Sequence, residues 1–333
     1  MKAKNFDHIP ETLTGAIRYF GDANTCHEFL ADMRWSNGVR CPHCNSKNVG
    51  DLVKSRRIWN CKACKKQFSV KVGTIFEDSP LGLEKWLPAT WLIVNAKNGV
   101  SSCELARSLG VTQKTGWFML HRIRLAMQDG SIEKMKGQVE ADETFIGAKA
   151  RNMHFKVRKK VVKGTGPTTG KTAVFGLLER NTGGGTSRVR LKVMDRIRAR
   201  ELDPSIRDNV EKGADVITDA FPSYHRLSDE YIHNVIDHAE SYVNGHVHTN
   251  GLENFWSLLK RGLKGTYVNV EPFHLFRYLD EQAFRFNERK DNDKGRFLKA
   301  IASFAGKRLM YSNLIGQGGD GLPPQTTGTW QTA

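Results

Sequence analysis

Two stretches place carboxylates where acids are costly to keep, and a third stretch offers a further candidate. In "VEADETFIG", 139–147, apolar and polar residues alternate as in a strand, so Glu140, Asp142 and Thr144 share one face. Glu143 is expected to point the other way, as a solvated or packed residue. "ADVITDAF", 214–221, is a short apolar run ending at Asp219 and followed by "PSY", a turn into a helix. A parallel strand buried on both faces reads this way, and ligands collect at the carboxyl ends of such strands. In "HTNGLENFWSLLKRGLKG", 248–265, Leu252, Phe255, Trp256 and Leu259 make a buried helical stripe. Glu253 and Lys260, seven residues apart, share a different face because two turns return the helix almost to phase. Three converging carboxylates would hold divalent cations through hard oxygen ligands, and without metal their repulsion would raise at least one pKa. Two Mg2+ or Mn2+ ions about 4 Å apart could activate a water or a 3′-hydroxyl and stabilise the leaving oxygen of an in-line phosphodiester displacement. Lys260 is placed to meet a phosphate. Two of these acids also have a structural alternative. Asn250 and Glu253 fit an N-cap and its capping-box partner, and Asp219 could cap the helix after it.

A second chemistry belongs to sulfur. "CPHC" at 41–44 and "CKAC" at 61–64 are separated by sixteen residues. Each turn aims two thiolates at one centre, and two turns complete a tetrahedron around zinc. With Cys41, Cys44, Cys61 and Cys64 as ligands no position stays open, so this Zn2+ is expected to be structural. His43 is read as a bystander, and Cys26 and Cys103 as reduced, packed thiols.

The elements that must position these groups can be read from pattern. The 333 residues suggest about two domains. Residues 1–36 read as an amphipathic helical segment with Phe20, Phe29, Leu30, Met33 and Trp35 as contacts, and 37–72 as a zinc ribbon. Residues 73–130 have helical periodicity. In "SSCELARSLGVTQKTGWFMLHRIRLAM", 101–127, Ser101 and Glu104 form a capping box, Gly110 suits a left-handed C′ position and Thr112 caps the next helix. This is the pattern of a helix-turn-helix, with Gln113, Lys114 and Thr115 at the exposed start of a recognition helix and Arg122 and Arg124 available to phosphates. Strand-like and helical stretches alternate over 137–290, which argues for an α/β domain. Residues 291–333 form a C-terminal segment whose Gly-, Pro- and Thr-rich end is expected to be disordered.

A formal charge of +16 points to a polyanionic partner, and nucleic acid is the usual one. No apolar run has the length of a membrane span and the first residues lack a secretory region, so a cytoplasmic, nucleoid-associated protein is expected. "GTGPTTGKTAVFGLLER", 164–180, resembles a phosphate-binding loop but misses it. Counting back from Gly170-Lys171-Thr172 puts Thr165 where a glycine is required, and the residues after Thr172 look like a strand, so no nucleotide cofactor is expected.

The order of zinc ribbon, helix-turn-helix, "VEADETFIGAK", "GKTAVFGLLER", "VITDAFPSY", "HTNGLENFWSLLKRGLKGTY" and "FHLFRYLDEQAFRFNERK" resembles bacterial insertion-sequence transposases of the zinc-ribbon, ISXO-like DDE group. The resemblance implies a ribonuclease-H-like catalytic domain, a divalent-metal site and strand transfer of a mobile element. By position it implies Asp142 as first acid, Asp219 as second, Glu253 as third with Asn250 as the alternative, and Lys260 as the associated base. His246 and His248 precede that helix. The resemblance also implies a basic connection between the first two strands of the domain. Residues 149–171 carry eight Lys or Arg and no acid, and Lys156, Arg158, Lys159 and Lys160 are expected to track double-stranded DNA, with Gly164, Gly166 and Gly170 keeping the segment flexible. Terminal inverted repeats and target DNA are the expected partners. Pairing two element ends calls for a homodimer or larger. The alternatives are a transposase-derived DNA-binding regulator without catalysis and a nuclease or resolvase that cuts without joining.

Overall fold

The structure is a computed structural model that describes residues 6–128, 131–148, 153–162, 168–181, 185–219, 224, 229–236 and 249–317. His246, His248, Gly164, Gly166 and nearly all of the Gly-rich C-terminal end lie outside the described residues. The chain divides into two compact units, Met1–Gln128 with Asp291–Gly321, and Asp129–Lys290.

The first unit is built on helices. Thr12 and Asp22, accepting from the N–H groups of Gly15 and Thr25, start α1 (Leu13–Tyr19) and α2 (Ala23–Arg34). A two-stranded hairpin, β1 (Trp59–Asn60) and β2 (Gln67–Phe68), comes next. The ribbon is too small to bury its own core, and α2 completes it. His27 stacks on Trp59 at 5.0 Å, and Trp35 meets Trp59 edge-on at 5.1 Å. The boundary expected at residue 36 therefore runs through shared aromatic packing. Three further helices complete the run, α3 (Leu83–Asn95), α4 (Ser102–Leu109) and α5 (Gln113–Ala126).

The second unit is a five-stranded sheet with helices on both faces. Its strands are β3 (Gln138–Ile146), β4 (Thr172–Glu179), β5 (Arg188–Met194), β6 (Asp215–Asp219) and β7 (Ile232–Ile236), in the order β5-β4-β3-β6-β7. β4 runs antiparallel to β3 and β5, whereas β3, β6 and β7 are parallel. Between β3 and β4 lies a short helix, α6 (Phe155–Val161). Helix α7 (Ala199–Asn209) supplies Leu202 and Ile206 to one face, over Val139, Ala141, Phe175 and Val216. Helices α8 (Asn250–Gly262) and α9 (Leu275–Asn287) cover the other, with Leu252, Phe255, Trp256 and Leu279 over Val174 and Leu178. Gly170-Lys171 leads directly into β4, so this stretch is a turn before a strand and not before a helix.

The chain then returns to the first unit through α10 (Asp293–Ala302) and α11 (Tyr311–Leu314). Phe297 of α10 packs against Phe20, Phe29 and Trp91 with ring centroids 5.0–5.9 Å apart. Residues 291–317 thus complete the N-terminal core, which sequence pattern did not reveal. Cys26 is buried as expected, but Cys103 is exposed on α4.

Candidate functional site

Register brings the first two acids together. β3 and β6 pair in parallel with Glu140 opposite Ile217. Two residues further along the same register, Asp142 stands beside Asp219, the last residue of β6. Oxygens of Asp142, Glu143 and Asp219 lie within 4.8 Å of one another. The alternation predicted for β3 holds, since Glu143 follows Val139 and Ala141 on the α7 face. Glu143 is packed as expected, but it also joins the acid cluster, which the sequence reading did not foresee. The carboxylates of Asp142, Glu143 and Asp219 converge even though Asp142 and Glu143 leave β3 on opposite faces. Glu143 accepts a hydrogen bond from the Tyr224 hydroxyl. Burial pushes the Glu143 carboxyl up to about 7, the Tyr224 bond opposes this, and Asp219 and Asp142 add to it. Asp142 is raised by burial as well, against the hydrogen bonds it accepts from Trp256 and the Glu143 N–H, with Asp219 and Glu253 adding repulsion. Such a cluster of half-buried acids has the donor set for a hard divalent cation.

Helix α8 is fastened to β3 beside this cluster. The Glu140 carboxylate, 1% exposed, receives the Arg180 guanidinium at 2.7 Å on Oε1 and the Leu252 N–H at 2.8 Å on Oε2. An acid from a neighbouring strand thereby caps the positive end of the helix. A Cβ on Gly251 would stand 2.7 Å from Glu140 Oε1, so the close approach needs glycine there. The capping box suggested for Asn250 and Glu253 is not formed. Thr249 precedes the helix, Asn250 is its exposed first residue, and Glu140 supplies the cap. Glu253 lies on the exposed side of the first turn, outside the three-acid group, though its charge raises Asp142. Lys260 is half-buried. Burial lowers its pKa, Asp142 raises it, and Lys264 and Lys171 lower it further.

The four cysteines converge as predicted. Cys41 and Cys64 sulfurs are 3.7 Å apart, and Cys44 and Cys61 sulfurs 3.6 Å. A tetrahedron with Zn–S of about 2.3 Å has edges of about 3.8 Å, so the cage fits Zn2+. The two knuckles repeat one geometry. Asn45 and Lys65 donate to the carbonyls of Cys41 and Cys61, and both take positive φ, 57° and 62°. The backbone N–H of Cys64, with that of Ala63, draws the Cys61 thiol down, while the neighbouring sulfurs push the Cys44 thiol up, so without a metal the four share their protons unequally.

In the first unit Ser101 accepts from the Glu104 N–H, Gly110 is left-handed at φ 61°, and Thr112 accepts from the Thr115 N–H. The predicted α4–turn–α5 is therefore formed. Gln113 and Lys114 are exposed and Thr115 is half-buried at the start of α5, with Lys114 Nζ 4.7 Å from the Tyr311 ring. Arg122 and Arg124 do not fit the role of phosphate contacts. They are 4% and 1% exposed, and Arg122 donates to the Leu309 and Glu77 carbonyls. They lie on the expected helix, but the structure turns them to its inner side. Lys156, Arg158 and Lys159 are exposed on α6, which also carries Lys160.

Comparison with known proteins agrees with this arrangement. Residues 134–287, which span the sheet and its helices, match the ISXO2-like transposase domain, and residues 21–67 match the transposase zinc-ribbon domain. The latter match begins ahead of α2, in line with the shared aromatic packing. An uncharacterized protein in transposable element ISH50 of Halobacterium salinarum is 30% identical over 258 residues, covering 74% of this chain and 85% of that protein. The chain belongs to the ISXO2-like, zinc-ribbon transposases of insertion sequences. Among the described residues no helix is long and apolar enough to cross a membrane.

Proposed function

We propose that this protein binds the terminal inverted repeats of its element and catalyses divalent-metal-dependent phosphodiester cleavage and strand transfer. The observation that carries the reading is the meeting of Asp142, Glu143 and Asp219 at the end of β6 in a chain of this family. The strand order, with one antiparallel pair of strands on one side of β3 and parallel strands on the other, supports a ribonuclease-H-like domain. The α4–turn–α5 pair supports a helix-turn-helix whose Gln113, Lys114 and Thr115 face the major groove. Asp142 and Asp219 would hold Mg2+ or Mn2+. Glu253 or Asn250 of α8 completes the set on the family pattern, and Glu143 completes it on distance. Bound there, such ions would supply the Lewis acidity that activates a water or 3′-hydroxyl, and Lys260 holds the phosphate beside the reacting link. Lys156, Arg158, Lys159 and Lys160 track the DNA backbone. A homodimer pairs two ends.

The test is incubation with labelled terminal-repeat DNA and Mg2+ or Mn2+. Nicking and joining are expected, and both should vanish in Asp142→Asn and Asp219→Asn. Binding without nicking would instead identify a regulator, and cutting without joining a nuclease. Comparing Glu143→Gln with Glu253→Gln decides the third ligand: loss of metal binding should track the true one.

A further inference from the structure

Trp256 is 4% exposed and lies within the apolar stripe that seats α8 on the sheet. Its ring nitrogen nevertheless reaches the acid cluster, where Nε1 donates to Asp142 Oδ2 at 2.8 Å. The other Asp142 oxygen, Oδ1, accepts the Glu143 N–H at 2.8 Å. Two donors on opposite oxygens fix the plane of a carboxylate, which cannot turn without breaking one bond. The indole N–H is donor-only, so it can orient an ionised acid but never ligate a metal.

The seat for this indole is prepared in the opposite strand. Asp142 pairs across the ladder with Gly176. A Cβ on Gly176 would lie 2.7 Å from both Cζ2 and Cη2 of Trp256 and 3.1 Å from Leu252 Cδ2. Gly176 does not have a positive φ, so no turn or left-handed backbone accounts for it. Glycine within a strand weakens it, and close approach of another group is the usual reason to keep one. Here that group is the ring that holds Asp142. One turn earlier on α8, the Leu252 N–H is held by Glu140, two residues earlier on β3. The two bonds match the helix step of four to the strand step of two.

We infer that Trp256 is a positioning residue for Asp142, with Gly176 as the vacant position that lets its indole reach the carboxylate. The inference rests on the metal-site reading above and adds the orienting donor to it. Trp256 aims Asp142 at the cation, so losing its N–H weakens metal binding without removing a ligand.

The probe is Mn2+ alone, followed by the spectroscopic signal of free Mn2+ in titrations of the full chain. Wild type is compared with Asp142→Asn, Trp256→Phe and a chain carrying benzothienylalanine at 256, which replaces the N–H by sulfur at constant shape. Binding by the last two should weaken about tenfold or more, the range found for partners that orient metal ligands. DNA nicking should fall by a similar factor at limiting Mn2+ and recover at saturating Mn2+. Gly176→Ala should reproduce the defect with the indole intact. If Trp256→Phe fails to fold, the isosteric chain decides. Wild-type Mn2+ affinity in that chain, with binding lost in Asp142→Asn, would overturn the positioning role and leave the metal site standing. A nicking defect that saturating Mn2+ does not restore would also overturn it, because it would mark a purely structural residue. Absence of Asp142-dependent Mn2+ binding in wild type would overturn both.

Discussion

Glu143 sits at the junction of burial and repulsion, and its titration has a definite sign. Its carboxyl is raised from 4.5 to about 7, first by desolvation and then by Asp219 and Asp142, against the Tyr224 hydrogen bond. A raised carboxyl pKa favours the folded state at low pH, where the group is neutral in both states. That advantage is lost as pH rises from about 4.5 through 7. At about 1.4 kcal/mol per unit, the cost at pH 8 is on the order of 3 kcal/mol. The metal-free chain should therefore melt at lower temperature at pH 8 than at pH 5, and Glu143→Gln should flatten that difference. Mg2+ should also flatten it, because a bound cation compensates the carboxylate charge. Melting curves at several pH values, with and without Mg2+, check all three expectations. Arg122 gives a contrasting case. Since it is buried on two carbonyls, Arg122→Ala should lower the melting temperature and leave the salt dependence of DNA binding unchanged.

Among the elements, α5 and α6 are the two whose contributions separate most cleanly. The start of α5 is defined by the Thr112 cap, so Thr112→Ala should cost about 1 kcal/mol of stability, measurable by thermal unfolding. Replacing Gln113 by Ala should change which DNA sequences are bound more than how strongly salt competes. The reverse holds for α6. Substituting Lys156, Arg158 and Lys159 together should reduce the slope of log affinity against log salt by up to about 0.9 for each phosphate no longer neutralised. Salt titrations of the two variants separate base reading from backbone tracking.

For the whole chain, a charge of +16 makes polyanion binding general, while zinc supports one unit in particular. The ribbon shares rings with α2, and α2 shares Phe29 with Phe297 of α10. Removing Zn2+ with a chelator, or replacing Cys61 by Ser, should therefore destabilise more than the hairpin. Calorimetry of the full chain should show one transition shifted down and a second, from the sheet unit, left in place. A single transition moving as a whole would show that the two units unfold together.

Much of this protein is written in local pattern. The CxxC pairs, the Ser101, Gly110 and Thr112 punctuation of two helices, and the alternation that aims Glu140 and Asp142 to one face each depend on neighbours within a few residues, so residue type and spacing determine them. The stripe of α8 and the strand after Lys171 are legible for the same reason. Other features require partners distant in the chain. The buried side of Arg122 depends on carbonyls at 77 and 309, and the return of residues 291–317 to the N-terminal core depends on rings at 20, 29 and 91. Whether a packed Glu143 also joins an acid cluster depends on the register that sets Asp219 beside Asp142, and the seat of Trp256 depends on a missing side chain at 176. Periodicity says which way a side chain leaves its own backbone; only the packed sheet decides what it finds there.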